Sequence, residues 1–129
     1  MSLRGIGIDI GSIPRMAALV ERYGERFISR WFDASELAEG GSSVPSQLAS
    51  RFAAKEAVWK ALRVDCRTSI PWRQIVITSE APWSRLCVRL EGDLARTASA
   101  LGIGPISVTA TIQGDIVVAI ALAEQADRQ

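Results

Sequence analysis

The sequence contains no histidine. That single absence removes Ser-His-Asp and Cys-His nucleophile systems and every histidine-ligated metal site. Cysteine is nearly missing too: Cys66 and Cys87 are too few and too far apart for a disulfide framework or a thiolate zinc site. No apolar run reaches the ~20 residues that a membrane-crossing helix requires. The opening MSLRGIGIDIGS lacks the layout of a signal peptide. An excess of either charge is also missing, since 15 Lys+Arg face 14 Asp+Glu for a net +1. No global field therefore draws the chain to nucleic acid or to a membrane. The chemistry left open uses carboxylates, lysine or a hard cation such as Mg²⁺, in a cytoplasmic enzyme or binding protein.

What is present is ordinary in bulk. The chain has 129 residues, 48% apolar and 22% charged, a size that suggests one domain over 1–129 with a real core. LRGIGIDIG (3–11) alternates and predicts a strand; SIPRMAALVERYG predicts a helix with Ser12 as N-cap, Pro14 in its first turn and Gly24 as its stop. A short helix is expected over 25–31, and DASEL offers a capping box between Asp33 and Glu36. After the loop GGSSVPS, Pro45 opens the longest helix, to about 62. Strands are expected over 70–79 and 84–92, then a helix ending at Gly102, then a hairpin over 106–123 turning at Gln113-Gly114. This order predicts an α+β fold whose mainly antiparallel sheet packs on a long central helix.

Two features carry possible chemistry. Along the long helix, Leu48, Phe52, Glu56 and Lys60 recur every four residues and share one stripe. Glu56 and Lys60 read either as a solvated i,i+4 pair or as groups that hold a metal and a phosphate. Ala53, Ala54, Ala57 and Ala61 make that helix small-sided, as if a neighbour packs close. Asp9 stands between Ile8 and Ile10. It occupies either an exposed alternate position or a buried one, where a partner or a hard cation is required. The basic residues and the four tryptophans read mainly as solvated surface and as packing.

Taken together, GIGIDIGSIPR, WFDASEL, RFAAKEAVWKAL and the closing VTATIQGDIVVAIALAE resemble the holo-acyl-carrier-protein synthase family, nearly end to end and in order. The resemblance implies transfer of the phosphopantetheine arm of coenzyme A to a serine of an acyl carrier protein, with Mg²⁺ and release of 3′,5′-ADP. It implies that Asp9 and Glu56 bind the metal and that Glu56 and Lys60 act in catalysis, Lys60 beside the phosphates. It implies coenzyme A contacts from Arg51, near the adenosine 3′-phosphate, and from Lys60 and Arg85. Arg15, Arg22, Arg26 and Phe27 match the surface that grips the acidic carrier protein. Family members of this size are homotrimers with sites between subunits, so a homotrimer is expected.

The chain departs from the family around the cofactor. Arg63-Val64-Asp65 replaces a glycine-containing turn, Ser84-Arg85-Leu86 keeps only the basic residue of its motif, Ile112 stands where a polar side chain is common, and Gly11 replaces an acidic residue. The alternative these departures raise is a non-catalytic or repurposed member that binds a carrier protein or a coenzyme A-derived substrate.

Overall fold

The computed structural model describes residues 2–37, 44–65, 69–80 and 85–127, the side chains of 80 and 85 excepted. Strand β1 (Ser2–Ser12) leads into helices α1 (Ile13–Tyr23), α2 (Glu25–Trp31), α3 (Ala34–Leu37) and α4 (Pro45–Leu62). A 3₁₀ turn (Trp72–Gln74), β2 (Ile75–Glu80), β3 (Arg85–Leu90), α5 (Gly92–Ala100), β4 (Ile103–Gln113) and β5 (Ile116–Gln125) follow. The sheet runs β1-β5-β4, antiparallel throughout; β2 and β3 form a separate antiparallel pair, and β3 packs beside β4. Among the described residues no helix is long and apolar enough to cross a membrane.

Local signals explain most of these boundaries. Ser12 Oγ accepts from the Arg15 amide at 3.2 Å, and Pro14 occupies the first turn of α1, where its missing N–H removes no bond. Gly24 ends α1 at φ +56°, a conformation that favours glycine. The strand expected from residue 70 starts only at Ile75: Pro71 supplies no ladder donor, and the chain takes a 3₁₀ turn instead. The turn after α4 forms without glycine. Arg63 itself takes the left-handed conformation (φ 54°, ψ 44°), and Arg4 Nε donates to the Leu62 carbonyl at 2.8 Å. In place of glycine, Arg63 bears a local strain of about 1–2 kcal/mol in that conformation.

Helix α4 is the axis of the molecule. It lies against β1, β5 and β2 at once, so it is buried nearly all round rather than along one stripe. Its alanines meet glycines of β1 with no side chain between. A Cβ built on Gly7 would stand 1.8 Å from the Ala57 carbonyl oxygen, and one on Gly5 would stand 2.2 Å from that of Ala61. Strand periodicity then sends the two faces of β1 apart. Gly5, Gly7, Asp9 and Gly11 face α4, while Ile6, Ile8 and Ile10 point away and remain 59%, 54% and 69% exposed. The reading of Asp9 as an exposed alternate position is thereby reversed: the isoleucines are outside and the aspartate is inside.

Candidate active site

Asp9 lies where β1 passes the middle of α4, and its side chain is only 13% exposed. Glu56 approaches it from the helix, close enough for the two carboxyl groups to interact. Burial pushes the Glu56 carboxyl up to about 7; the hydrogen bond to Asp9 and the charge of Asp9 add to that, while Lys60 and Arg15 pull it back. Lys60 does not pair with Glu56 one turn before it. It reaches across to β1, where its Nζ donates to Asp9 Oδ1 at 3.1 Å and to the Ile8 carbonyl at 3.0 Å. The i,i+4 surface pair is therefore replaced by a contact between α4 and β1.

A cleft of about 670 Å³ opens beside these groups. Asp9, Glu56 and Arg15 form its polar side, and Met16, Leu19, Phe27, Trp31 and Phe52 form an apolar wall. The rings of that wall interlock: Trp31 meets Phe52 edge-on at 5.2 Å and Trp72 at 5.5 Å. Of the four residues expected to hold a partner, Arg15 and Phe27 line the cleft. Arg22 and Arg26 are exposed nearby on α1 and α2, with Arg22 stacked 5.3 Å over the Tyr23 ring.

The remaining expected site residues lie elsewhere. Arg51 faces away from Asp9 and is buried; its Nη1 donates to the Glu36 carbonyl and its Nη2 lies 3.4 Å from Ser79 Oγ. It lines a second cleft of about 360 Å³ with Ser46, Gln47, Ser50, Thr111 and the half-exposed Ile112. Within one chain, then, Arg51 is not brought together with Asp9 and Glu56. Arg85 starts β3, and its side chain lies outside the described residues, as do Cys66, Trp83 and Ser84.

The carboxyl pair fits a hard divalent cation. Burial raises the Glu56 carboxyl and the charge of Asp9 adds to it, and a cation held by both groups would offset these effects. Their oxygens suit Mg²⁺ rather than a thiolate- or imidazole-seeking metal. Among the described residues no cluster of three or more acidic, Cys or His side chains forms a closed metal cage. Two protein carboxylates plus phosphate oxygens and water is the usual way Mg²⁺ is held.

Sequence reasoning missed one pair. Lys55, one of the basic residues read as solvated surface, is fully buried, and its Nζ donates to Glu36 Oε1 at 2.6 Å. The signal was present in the capping box at Asp33 and Glu36 and in a lysine set among Ala53, Ala54 and Ala57. A lysine on a helix with alanines all round it has no solvated face to occupy.

Known proteins resemble this chain in sequence and fold. The model of the 4′-phosphopantetheinyl transferase superfamily matches residues 5–121. The holo-[acyl-carrier-protein] synthase of Mycobacterium sp. (strain KMS) is 36% identical over 133 residues, covering 97% of this chain and 99% of that protein. The crystal structure of the Neisseria meningitidis holo-[acyl-carrier-protein] synthase superposes with a TM-score of 0.85 at 31% identity, over 95% of this chain and 99% of that one. The Helicobacter pylori holo-[acyl-carrier-protein] synthase in complex with coenzyme A gives a TM-score of 0.75 at 28% identity, over 92% and 99% of the two chains.

Proposed function

This chain belongs to the 4′-phosphopantetheinyl transferase superfamily, among the holo-[acyl-carrier-protein] synthases, and from that premise we propose how its own residues perform the transfer. A single domain over 1–129 moves the 4′-phosphopantetheine of coenzyme A to a serine of an apo acyl carrier protein, in the cytoplasm, and releases 3′,5′-ADP. The observation that carries this reading is the Asp9–Glu56 carboxyl pair, with Lys60 on Asp9, at the edge of a cleft with an apolar wall.

The serine oxygen forms a bond to the β-phosphorus while the bond from that phosphorus to the ADP oxygen breaks. Such a reaction needs positioning and charge neutralisation more than covalent help. Mg²⁺, held by Asp9 and Glu56, would supply charge neutralisation on the pyrophosphate. Lys60, half exposed beside Asp9, balances the negative charge that grows on the departing ADP. Glu56 lines the cleft beside Asp9 and, in its ionised form, is the group there suited to receive the serine proton. Arg15 at the mouth, with Arg22, Arg26 and Phe27 around it, receives the acidic carrier protein. Arg51 and Arg85 contribute to coenzyme A binding from the second cleft and from β3.

Those two clefts lie on different sides of α4, which supports a site shared between copies. The outer face of the sheet supports it as well: Ile6, Ile8, Ile10, Ile116, Ile120 and Leu122 are all exposed there. A contiguous apolar sheet face of this kind marks an interface. A homotrimer joined through it would bring the Arg51 cleft of one copy toward the Asp9 cleft of the next. Sedimentation of Ile8→Glu tests this, with dissociation to monomers expected and an unchanged mass contradicting it.

The transfer itself is tested by incubating the protein with coenzyme A, Mg²⁺ and a panel of apo carrier proteins, and reading the added phosphopantetheine by mass spectrometry. Glu56→Gln is expected to abolish the addition while the circular dichroism of the fold is kept. No addition to any carrier, with coenzyme A binding also absent by calorimetry, would favour the non-catalytic alternative.

A further inference from the structure

Glu36 and Lys55 are the largest buried charges near the site, and neither lines the cleft at Asp9. Glu36 Oε1 accepts from Lys55 Nζ at 2.6 Å and from the Asp33 amide at 2.8 Å; its Oε2 accepts from the Ile77 amide at 3.1 Å. Its main-chain oxygen accepts from Arg51 Nη1. Lys55 uses its other two protons on the carbonyls of Trp72, at 2.8 Å, and Ile75, at 2.5 Å. One helix, α4, is thus tied to α3, to the 3₁₀ turn and to β2 by bonds that have direction.

On the other side of α4 the directional bonds are solvent-facing or at the helix end, Lys60 Nζ to Asp9 and the Ile8 carbonyl and Arg4 Nε to the Leu62 carbonyl, and the buried part of the seam is glycine on alanine. There the contact is the backbone of Gly5 and Gly7 against the carbonyls of Ala57 and Ala61, and Ala53 Cβ over Gly11. Glycine against alanine sets how close the elements lie. It offers no large side chain to interlock, so it resists a slide along the helix axis weakly. Yet the slide matters, because one residue of α4 is about 1.5 Å of rise and about 100° of turn, enough to carry Glu56 off Asp9. The two charges need not add stability by themselves, since apolar replacement of a buried ion pair is often neutral or stabilising.

We propose that Glu36 and Lys55 are positioning residues: their pair fixes the axial register of α4 on β1, and through it the meeting of Glu56 with Asp9. The proposal rests on the reading of Asp9 and Glu56 as the metal-binding carboxylates. It gives the helix two unlike seams, one that sets distance and one that sets register.

The test uses the full chain with Mn²⁺ as a spectroscopic probe for the hard-cation site. In Glu36→Leu/Lys55→Met both charges leave together, so no uncompensated charge remains, and the melting temperature is expected to fall only by what the Asp33 and Ile77 amides and the Trp72 and Ile75 carbonyls lose, with the fold kept. Mn²⁺ affinity, read by paramagnetic resonance without coenzyme A, is expected to fall about tenfold. The kcat of transfer falls about 10²-fold, with KM for the carrier unchanged. Wild-type Mn²⁺ affinity and kcat in a folded double variant would overturn the proposal. If that variant does not fold, Glu36→Gln keeps the shape and is expected to lose Mn²⁺ affinity several-fold; wild-type affinity there overturns the proposal equally. Asp9→Asn separates the two ideas. If it still binds Mn²⁺ like the wild type, the metal reading fails; if it loses Mn²⁺ while the double variant keeps it, only the positioning role fails.

Discussion

Helix α4 carries two lysines that each meet a distant carboxylate, and their surroundings could hardly differ more. Lys55 and Glu36 are 0% exposed, 2.6 Å apart, and every ammonium proton of Lys55 has a fixed acceptor. Lys60 and Asp9 are 3.1 Å apart, with the lysine 53% exposed. Burial pushes the Glu36 carboxyl up and the Lys55 ammonium down, each toward its neutral form, and each partner's charge opposes the drift. The same chemical pair is therefore locked in one place and exchangeable in the other. The proposed roles fit that difference: a cation meant to meet a phosphate keeps donors free, whereas one meant to fix a helix commits them all.

The comparison breaks most easily on stability. Lys55→Met leaves the Glu36 carboxylate buried without its counter-charge and is expected to cost about 3–5 kcal/mol in urea unfolding. Lys60→Met removes a largely solvated pair and is expected to stay within about 1 kcal/mol of the wild type. Equal losses would mean that the two pairs do the same work. On turnover the order reverses: Lys60→Met is expected to slow transfer about 10²-fold in a single-turnover assay, the scale of losing one charge-stabilising donor. A wild-type rate would remove Lys60 from the phosphate.

These two pairs also mark what could be read from the sequence. Asp9, Glu56 and Lys60 were legible because residue type, spacing and a family resemblance point to them together. Caps were legible because Ser12, Pro14, Gly24 and Pro45 act on their own neighbours. Which way β1 faces was not legible, since alternation is symmetric and only the approach of Ala57 and Ala61 decides that the glycines are inside. Glu36 was legible as a local cap and invisible as a buried ion, because its other partners, Lys55 and the Ile77 amide, are far away in the chain. Lys60 was legible as a charge, but its partner on β1 was not: of the two readings open for it, the i,i+4 pair describes an isolated helix, and here β1 is nearer.

Acidity offers a sharper cut within the exchangeable site. In the metal-free protein the Glu56 carboxyl sits near 7, above its ordinary 4.5, so the folded chain holds that proton more tightly than the unfolded one. Its contribution to stability is full below pH 4.5 and is lost as pH rises to about 7. Melting temperatures in EDTA across that window are expected to fall for the wild type relative to Glu56→Gln, which cannot titrate. Glu36 is present in both proteins, so its own titration cancels in the difference. Parallel profiles would show that the Glu56 carboxyl titrates at its ordinary value and is not held in its protonated form by the fold.

The smallest effect belongs to the mouth of the cleft. Arg15 is exposed in the first turn of α1, lines the cleft with Asp9 and Glu56, and already pulls the Glu56 carboxyl downward. Its field reaches both the incoming carrier protein and the carboxyl pair, but only the first interaction crosses solvent. Salt screens it over about 10 Å at 0.1 M ionic strength, whereas the shorter path to Glu56 runs along the cleft wall and is screened less. Arg15→Glu is therefore expected to raise KM for the carrier about tenfold at low salt and by less at high salt, leaving KM for coenzyme A nearly unchanged. Arg26→Glu, exposed on α2 outside the cleft, is expected to do the same more weakly. An effect of Arg15→Glu confined to coenzyme A would move that arginine from the carrier surface to the cofactor site, and would put Lys60 and Arg15 on the same phosphate.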